Sequence, residues 1–592
     1  MVKRFFSEGK NLLTKKQEGI LSAAVVMMII ILITKAVGFL RQFLFAHYFG
    51  ASRELDMFIA ANTIPEMIVN LLILGSVNAA LIPVVFESIE EKGETKTRGL
   101  IRTIFTVFGS ALIVFSFVAF LFAGQMIQWS VDIANPEVDF TEDQLSQMVS
   151  MLRILLISPA VLGISNLITG VLHVYQRFII PQLAPLLYNI GGLVAIFILV
   201  PYMGVSGLAV GVVFGSFLHI FIQLPLLRHL NISFRPKFNF RDPYLHKIGR
   251  LMLPRVMGLA ASQVSLLVDR ILALGLMAGS ASAFVFAESI KIIPVSIFGL
   301  SISSAAFPVL SKEAAAGKLM AFKSTLARSL NQIIFLAVPV TAVLLVLRVP
   351  AVRLVLGLGS GNFTWEDTLT TAWVLLFFSI GLIAESLTSL VVKAFYALHD
   401  TKTPVMVSVI TIIISVITSI ALTNYFSHFE NFDLDQFFQD SQTTIHWLTE
   451  RNGEQAPSVG GLALSASISV TFEIIALVVL LSRKLGNITK NDLLIPVLKK
   501  LTMGIIMAGV MYFIYSIWNT ILNTTRTVNI LILTTSTSLA GFSIYTILAY
   551  IFSCEEVVML EKAFVIFVNV LENWRKYLSK LFGKKVYIDE IS

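Results

Sequence analysis

Read from its amino terminus, the chain is a succession of long apolar runs divided by short polar ones. A helix needs roughly 20 apolar residues to cross the hydrocarbon core of a bilayer. Runs of that order fall near 20–46, 57–84, 100–124, 148–175, 180–201 and 204–227. A second series follows at 248–275, 281–309, 324–347, 369–397, 404–424 and 459–482, and two more lie at 497–519 and 528–553. The pattern predicts an all-α polytopic membrane protein with about fourteen transmembrane helices.

The polar connections sort themselves by charge. One set is basic: Lys92, Lys96, Arg98 and Arg102; Arg228, Arg235, Lys237, Arg241, Lys247 and Arg250; Lys312, Lys318, Lys323 and Arg328; Arg483, Lys484, Lys490, Lys499 and Lys500. The alternate set is acidic. Residues 126–147 carry Asp132, Glu137, Asp139, Glu142 and Asp143 without a lysine or arginine, and 426–457 sets six acids against Arg451 alone. Basic loops stay on the cytoplasmic side, so the pattern predicts an even helix count with both termini cytoplasmic, in a cytoplasmic (inner) membrane. The basic start (Lys3, Arg4, Lys10) leads into an apolar run too long for a signal peptide, and it reads as an uncleaved first span.

Two segments repeat. SVNAALIPV (76–84) resembles SISSAAFPV (301–309), and Gly207-Leu208-Ala209 is matched by Gly461-Leu462-Ala463. This suggests two six-helix lobes related by a parallel pseudo-repeat, with two further helices at the carboxyl end; chance similarity among small-residue helices is the competing reading. The expected organisation is a cytoplasmic segment 1–19, an N-lobe 20–228, a C-lobe 245–484 with an acidic extracytoplasmic insertion 426–457, a helix pair 496–553, and an amphipathic basic tail 556–592. Transporters built from such repeats hold substrate between the halves and expose it to each side in turn.

Composition narrows the function. Of 592 residues 56% are hydrophobic and 14% charged, against roughly 25% charged in soluble domains. One cysteine, scattered histidines and the lack of a P-loop or HExxH pattern give no metal cluster, ATPase engine or catalytic constellation. The expectation is a non-enzyme without a cofactor, and the net charge of +8 reflects cytoplasmic loops rather than a nucleic-acid partner.

Ionisable residues inside the spans are costly and carry functional hypotheses. They are Lys35, Arg41, Arg255, Arg270, Lys291 and Lys393 against Glu66, Asp269, Glu288 and Glu385. Six cations against four acids suit an anionic substrate such as a diphosphate. Lys35 sits too deep to reach the interface. Arg41, Arg255 and Lys393 are near enough to an end to snorkel, and Glu288 can neutralise Lys291 three residues on. Asp269 and Glu385 are candidates for binding a coupling proton or sodium ion, or for pairing with Arg270 and Lys291. Pro65, Pro159 and Pro294 introduce kinks within spans.

Three stretches resemble the MurJ/MviN family of lipid II flippases: TKAVGFLRQFLFAHYFGASRELDMFIAANTIP (34–65), LHVYQRFIIPQLAPLLYNI (172–190) and FYALHDTKTPV (395–405). The resemblance implies a two-lobed fold with a cationic cavity and a groove at the last two helices for a polyprenyl tail. It implies that the membrane is bacterial, and it implies a lipid-linked diphosphate substrate, undecaprenyl-diphosphate-linked disaccharide-pentapeptide, moved to the outer leaflet among membrane lipids and in contact with the cell-wall synthesis machinery. Arg41 and Asp56 match family functional positions; Lys35 stands where an arginine is usual. Asn70 and Ser289 replace two further expected arginines. The alternatives are a flippase for another polyprenyl-diphosphate oligosaccharide and a cation-coupled drug exporter. Membrane potential, proton or sodium ion is the expected energy source.

Overall fold

The computed structural model describes residues 20–558 apart from 72–76, 135–139, 233–234, 360, 428–456, 487–493 and 524–525, and its described side chains further exclude 20–26, 28–29, 77–80, 253–255, 257–262, 427 and 457. The expected segment 1–19, nearly all of the acidic insertion and most of the basic tail therefore lie outside the described residues. Those that are described form helices and turns, with no strand among them.

The helices run in chain order as α1 (Ile20–Phe49), α2 (Arg53–Leu71), α3 (Val77–Leu121), α4 (Ala123–Ala134), α5 (Glu142–Leu155), α6 (Ile157–Val174), α7 (Ile179–Val194), α8 (Ser206–Phe221), α9 (Leu224–His229) and α10 (Pro243–Leu274). They continue as α11 (Ser280–Pro294), α12 (Ser301–Ala315), α13 (Leu319–Val346), α14 (Arg348–Val355), α15 (Trp365–Ala397), α16 (Lys402–Ser427), α17 (Pro457–Leu485), α18 (Leu494–Ile521) and α19 (Thr527–Ile551). Among the described residues twelve helical spans are long and apolar enough to cross a membrane, fewer than the fourteen expected. The expected second span, 57–84, falls on α2, on residues 72–76 outside the described set and on the start of α3, and α2 is made too polar by Arg53, Glu54, Asp56 and Glu66. The expected seventh is α10, part of whose side chains fall outside the described set.

The chain divides into two compact units. One comprises Met1–Ile293, Arg348–Gly381 and Thr401–Leu477; the other comprises Pro294–Leu347, Leu382–Asp400 and Val478–Ser592. The division does not follow the expected lobes, because α15 and α17 each give their first part to one unit and the remainder to the other.

In the first unit α8 presents Gly207, Gly211 and Gly215, spaced four apart and hence on one helix face. A Cβ on Gly211 would lie 2.1 Å from the Ala195 Cβ, and one on Gly191 would lie 2.3 Å from the Gly215 Cα. Small residues thus let α7 and α8 approach backbone to backbone, the packing device of membrane helices, where lipid offers no hydrophobic drive for association. α3 bends at Gly93, whose φ of 74° only glycine adopts cheaply. Beside that bend, Leu81, Val85, Ile101 and Ile104 of α3 pack on Ile168, Val171 and Leu172 of α6 and Ile248 of α10. The expected fourth span is interrupted at Leu156, with Pro159 in the first turn of α6, where a missing N–H costs least.

In the second unit α13 supports α18 and α19. The Tyr545 hydroxyl donates to the Phe335 carbonyl at 3.0 Å, and Gly541 lies under Met511. Lys500, which the sequence pattern counts with the loop cations, is 1% exposed. Its ammonium donates to Asn331 Oδ1 and Glu556 Oε1, each at 2.8 Å. Lys393, also in this unit, donates to the hydroxyls of Ser303 and Ser304 at 3.0 and 2.9 Å.

Candidate functional site

A cavity of about 380 Å³ opens within the first unit among α1, α2, α6, α7 and α8. Arg41 enters it from α1 and Glu66 from α2, with Asn62, Asn70, Ser158, Asn166, Tyr188 and His219 as neutral polar lining and Phe45, Phe58 and Leu162 among the apolar walls. Arg41 is shaped by its surroundings. Its side chain lies over Gly192, where a Cβ would come 2.5 Å from the Arg41 Cδ. Its guanidinium carbon sits 5.7 Å from the Phe45 ring centre and 5.8 Å from that of Tyr188, within cation–π range. Its buried Nε has no hydrogen-bond partner among the described residues. A fixed planar cation with an unused donor is suited to an anionic oxygen.

Glu66 faces the same cavity but is already engaged. Arg270 Nη1 meets Glu66 Oε2 at 2.7 Å, and Arg270 Nη2 meets Glu288 Oε2 at 3.5 Å. Asn62 adds a weak donor to Glu66 at 3.4 Å. One arginine of α10 is therefore held by an acid of α2 and an acid of α11. Asn70, at a position where the resemblance leads one to expect an arginine, donates to Gln263 at 3.3 Å, and Ser289 donates to the Phe286 carbonyl at 2.6 Å. Both positions are neutral and serve internal bonds.

A family model described as "Lipid II flippase MurJ" matches residues 45–430, about two thirds of the chain. The chain belongs to the MurJ family. Similar members include a probable lipid II flippase MurJ of Haemophilus influenzae, 27% identical over 396 residues that cover 64% of this chain and 77% of that one. The lipid II flippase MurJ of Burkholderia cenocepacia is 26% identical over 403 residues, 67% and 77% of the two chains. Among solved structures, a lipid II flippase MurJ in an inward closed conformation superposes with a TM-score of 0.67 at 21% identity, covering 89% of this chain and 98% of that chain. An inward-facing MATE family multidrug transporter of the MOP superfamily has a TM-score of 0.59 at 11% identity over 78% of this chain and 98% of that one. These two likenesses speak for the fold.

The remaining family-derived and sequence-derived residues are dispersed. Asp56 is fully buried and accepts from Gly279 N, Ser282 N and Ser282 Oγ at 2.6–2.7 Å. It caps the amino terminus of α11, where a carboxylate meets unpaired N–H groups and the positive end of the helix dipole; in this structure it holds a helix instead of facing the cavity. Lys35 is exposed on α1 and is not part of the cavity lining. Six residues at about 100° each put it some 120° around the helix from Arg41. The Arg255 side chain lies outside the described residues. Lys291 is buried with its ammonium 4.3 Å from the Phe378 ring centre, and Glu385 is half-buried in the second unit. The cavity lining itself carries one cation and one acid, so the six-to-four excess is not gathered there.

Asp269, 4% exposed, accepts from Ser419 Oγ at 2.9 Å. Ser419 Oγ lies 2.9 Å from Ser465 Oγ, which in turn lies 2.6 Å from Thr418 Oγ1 and donates to the Ser415 carbonyl at 2.9 Å. The spacing of Ser415, Thr418 and Ser419, on one face of α16, is visible in the sequence, whereas the contact of that face with Asp269 is not. No group of three or more His, Cys, Asp or Glu residues placed to hold a metal occurs among the described residues.

Proposed function

We propose that this chain is a lipid II flippase of the bacterial cytoplasmic membrane, carrying the lipid-linked diphosphate precursor of peptidoglycan from the inner to the outer leaflet by alternating access. Membership of the family supports the substrate class, and the Arg41 geometry supports the mode of binding. Arg41 receives the diphosphate: its guanidinium is already oriented by Phe45, Tyr188 and Gly192, so little side-chain freedom is lost on binding. Lys35, exposed on the same helix, is a second cation on the substrate's path. Transport of this kind needs no bond-making residue, which suits a transporter rather than an enzyme. Both termini are cytoplasmic in this reading, following the basic loops, and peptidoglycan synthesis machinery is the natural partner.

Asp269 is the proposed coupling residue. A carboxylate at the end of a chain of three hydroxyls, those of Ser419, Ser465 and Thr418, supplies the hard oxygen donors that a proton or sodium ion takes, and it adjoins Arg270, which reaches Glu66 at the cavity. Protonation or ion binding at Asp269 would thus be felt one residue from the cavity's acid–base pair.

The test is binding by the purified full-length protein of lipid II, undecaprenyl phosphate and an unrelated diphosphate-linked oligosaccharide, with Arg41→Ala and Lys35→Ala alongside. Preference for lipid II that falls in Arg41→Ala supports the reading. Equal affinity for the unrelated oligosaccharide overturns the peptidoglycan assignment in favour of another polyprenyl-diphosphate cargo.

A further inference from the structure

The first unit holds another cavity, about 520 Å³, between the bend of α3 and the segment that precedes α10. Its lining includes Lys92, Lys96, Arg98, Arg102 and Lys237 against one acid, Asp242. That acid is occupied: Asp242 Oδ1 accepts from Tyr244 N at 3.0 Å and caps α10. Arg98 pairs with Glu94 at 3.3 Å, and Lys92 lies 4.2 Å from the centre of the Tyr244 ring. Lys96, Arg102 and Lys237 form no ion pair among the described residues. Like charges converging on one hollow repel, so an arrangement of this kind favours an anion that neutralises it.

The walls are fixed before any ligand arrives. Lys237 N donates to Thr106 Oγ1 at 2.9 Å, and Arg102 Nε donates to the Arg235 carbonyl at 3.4 Å, so the segment is tied to α3 at its lysine and two residues before it. The missing side chain of Gly99 admits the Lys237 ammonium, which lies 2.9 Å from where a Cβ would stand. Next to Lys237, Phe238 and Phe240 are 62% and 61% exposed and stack with ring centres 6.1 Å apart. Two bare phenyl rings are ill-placed in water, but they suit the boundary between headgroups and acyl chains.

We propose that this cavity binds the phosphodiester headgroup of an anionic phospholipid, with Phe238 and Phe240 seated among the acyl chains of the same leaflet. Lys96, Arg102 and Lys237 supply the charge-assisted donors. The leaflet is the cytoplasmic one in the topology proposed above, but the lipid site stands apart from the cavity of Arg41 and does not depend on the transported cargo.

Native mass spectrometry of the detergent-solubilised full-length protein tests it, with dioleoyl-phosphatidylglycerol and dioleoyl-phosphatidylcholine as probes and inorganic phosphate as competitor. Wild type is expected to retain phosphatidylglycerol preferentially. Each of Lys96→Gln, Arg102→Gln and Lys237→Gln is expected to lower that retention about fivefold, and Phe238→Ser/Phe240→Ser to weaken it further. Arg102→Lys, which keeps the charge, should preserve most of it. Thermal transitions matching wild type establish that the variants are folded; a variant that misfolds is set aside for the two remaining single lysine or arginine changes. Equal retention of the two lipids by wild type overturns the proposal. So does displacement of phosphatidylglycerol by inorganic phosphate together with an unaffected phenylalanine variant, which would make this a site for soluble anions.

Discussion

Arg270 and Glu66, 204 residues apart in the chain, meet at 2.7 Å with the arginine side chain 12% and the glutamate 39% exposed. The pair makes the cavity acid a fixed half of a bridge whose other support is Glu288. Removing the arginine leaves two carboxylates facing each other, whereas removing Glu66 leaves Arg270 one acid. Arg270→Gln is therefore expected to cost about 2–3 kcal/mol, and Glu66→Gln about 1 kcal/mol. Thermal unfolding in detergent, with the double variant to isolate the coupling, checks the order; equal losses would mean that the second acid is not supporting the arginine.

Arg41 should not tolerate its usual conservative replacement. A lysine keeps the charge but loses the planar fork and the stacking between Phe45 and Tyr188. Arg41→Lys is expected to weaken lipid II binding about tenfold and Arg41→Ala about a hundredfold, in keeping with about 1.4 kcal/mol for each factor of ten. Titration of lipid II against the folded variants measures this, and lysine binding as well as arginine would remove the case for a shaped guanidinium site.

Asp56 separates stability from binding. With its carboxylate buried against Gly279 and Ser282, Asp56→Ala is expected to destabilise by about 2 kcal/mol or more. Lipid II affinity of the folded fraction should stay unchanged. A selective loss of affinity with unchanged unfolding would return Asp56 to the substrate path that the family resemblance suggested.

Close helix packing gives a size-dependent prediction. Gly191→Ala places a methyl 2.3 Å from the Gly215 Cα and is expected to cost about 1–3 kcal/mol by forcing α7 from α8. Gly509→Ala on α18, where nothing lies within 4 Å, should be neutral or gain up to about 1 kcal/mol from helix propensity. Parallel melting curves of the two alanine variants decide whether contact, not merely loss of glycine, sets the outcome.

Much of the architecture was legible because it follows from solvent. Apolar runs near 20 residues are local signals, read from the chain without knowledge of any partner. Local signals fail where partners are distant. Nothing in the sequence joins Arg270 to Glu66 or Asp269 to Ser419; pairing within the spans is expected, but the partners that Arg270 takes, Glu66 and Glu288, lie on other helices. Lys500 misled in the same way: adjacent to Lys499 it read as a loop marker, although its ammonium is buried against Glu556. The resemblance located Arg41, and the structure explains why it is the cation left facing the cavity. Asn70 and Ser289, where the resemblance leads one to expect arginines, each make a hydrogen bond within the protein.

The buried Lys500 also constrains how the protein is made. Its carboxylate partner lies 56 residues later in the chain, beyond the whole of α19. At ribosomal rates of about 5–20 residues per second, the amine emerges several seconds before the acid that will neutralise it. During that interval the ammonium has Asn331 to donate to but lacks the carboxylate that neutralises its charge. The buried position of Lys500 in α18 is thus completed by a residue made only after α19.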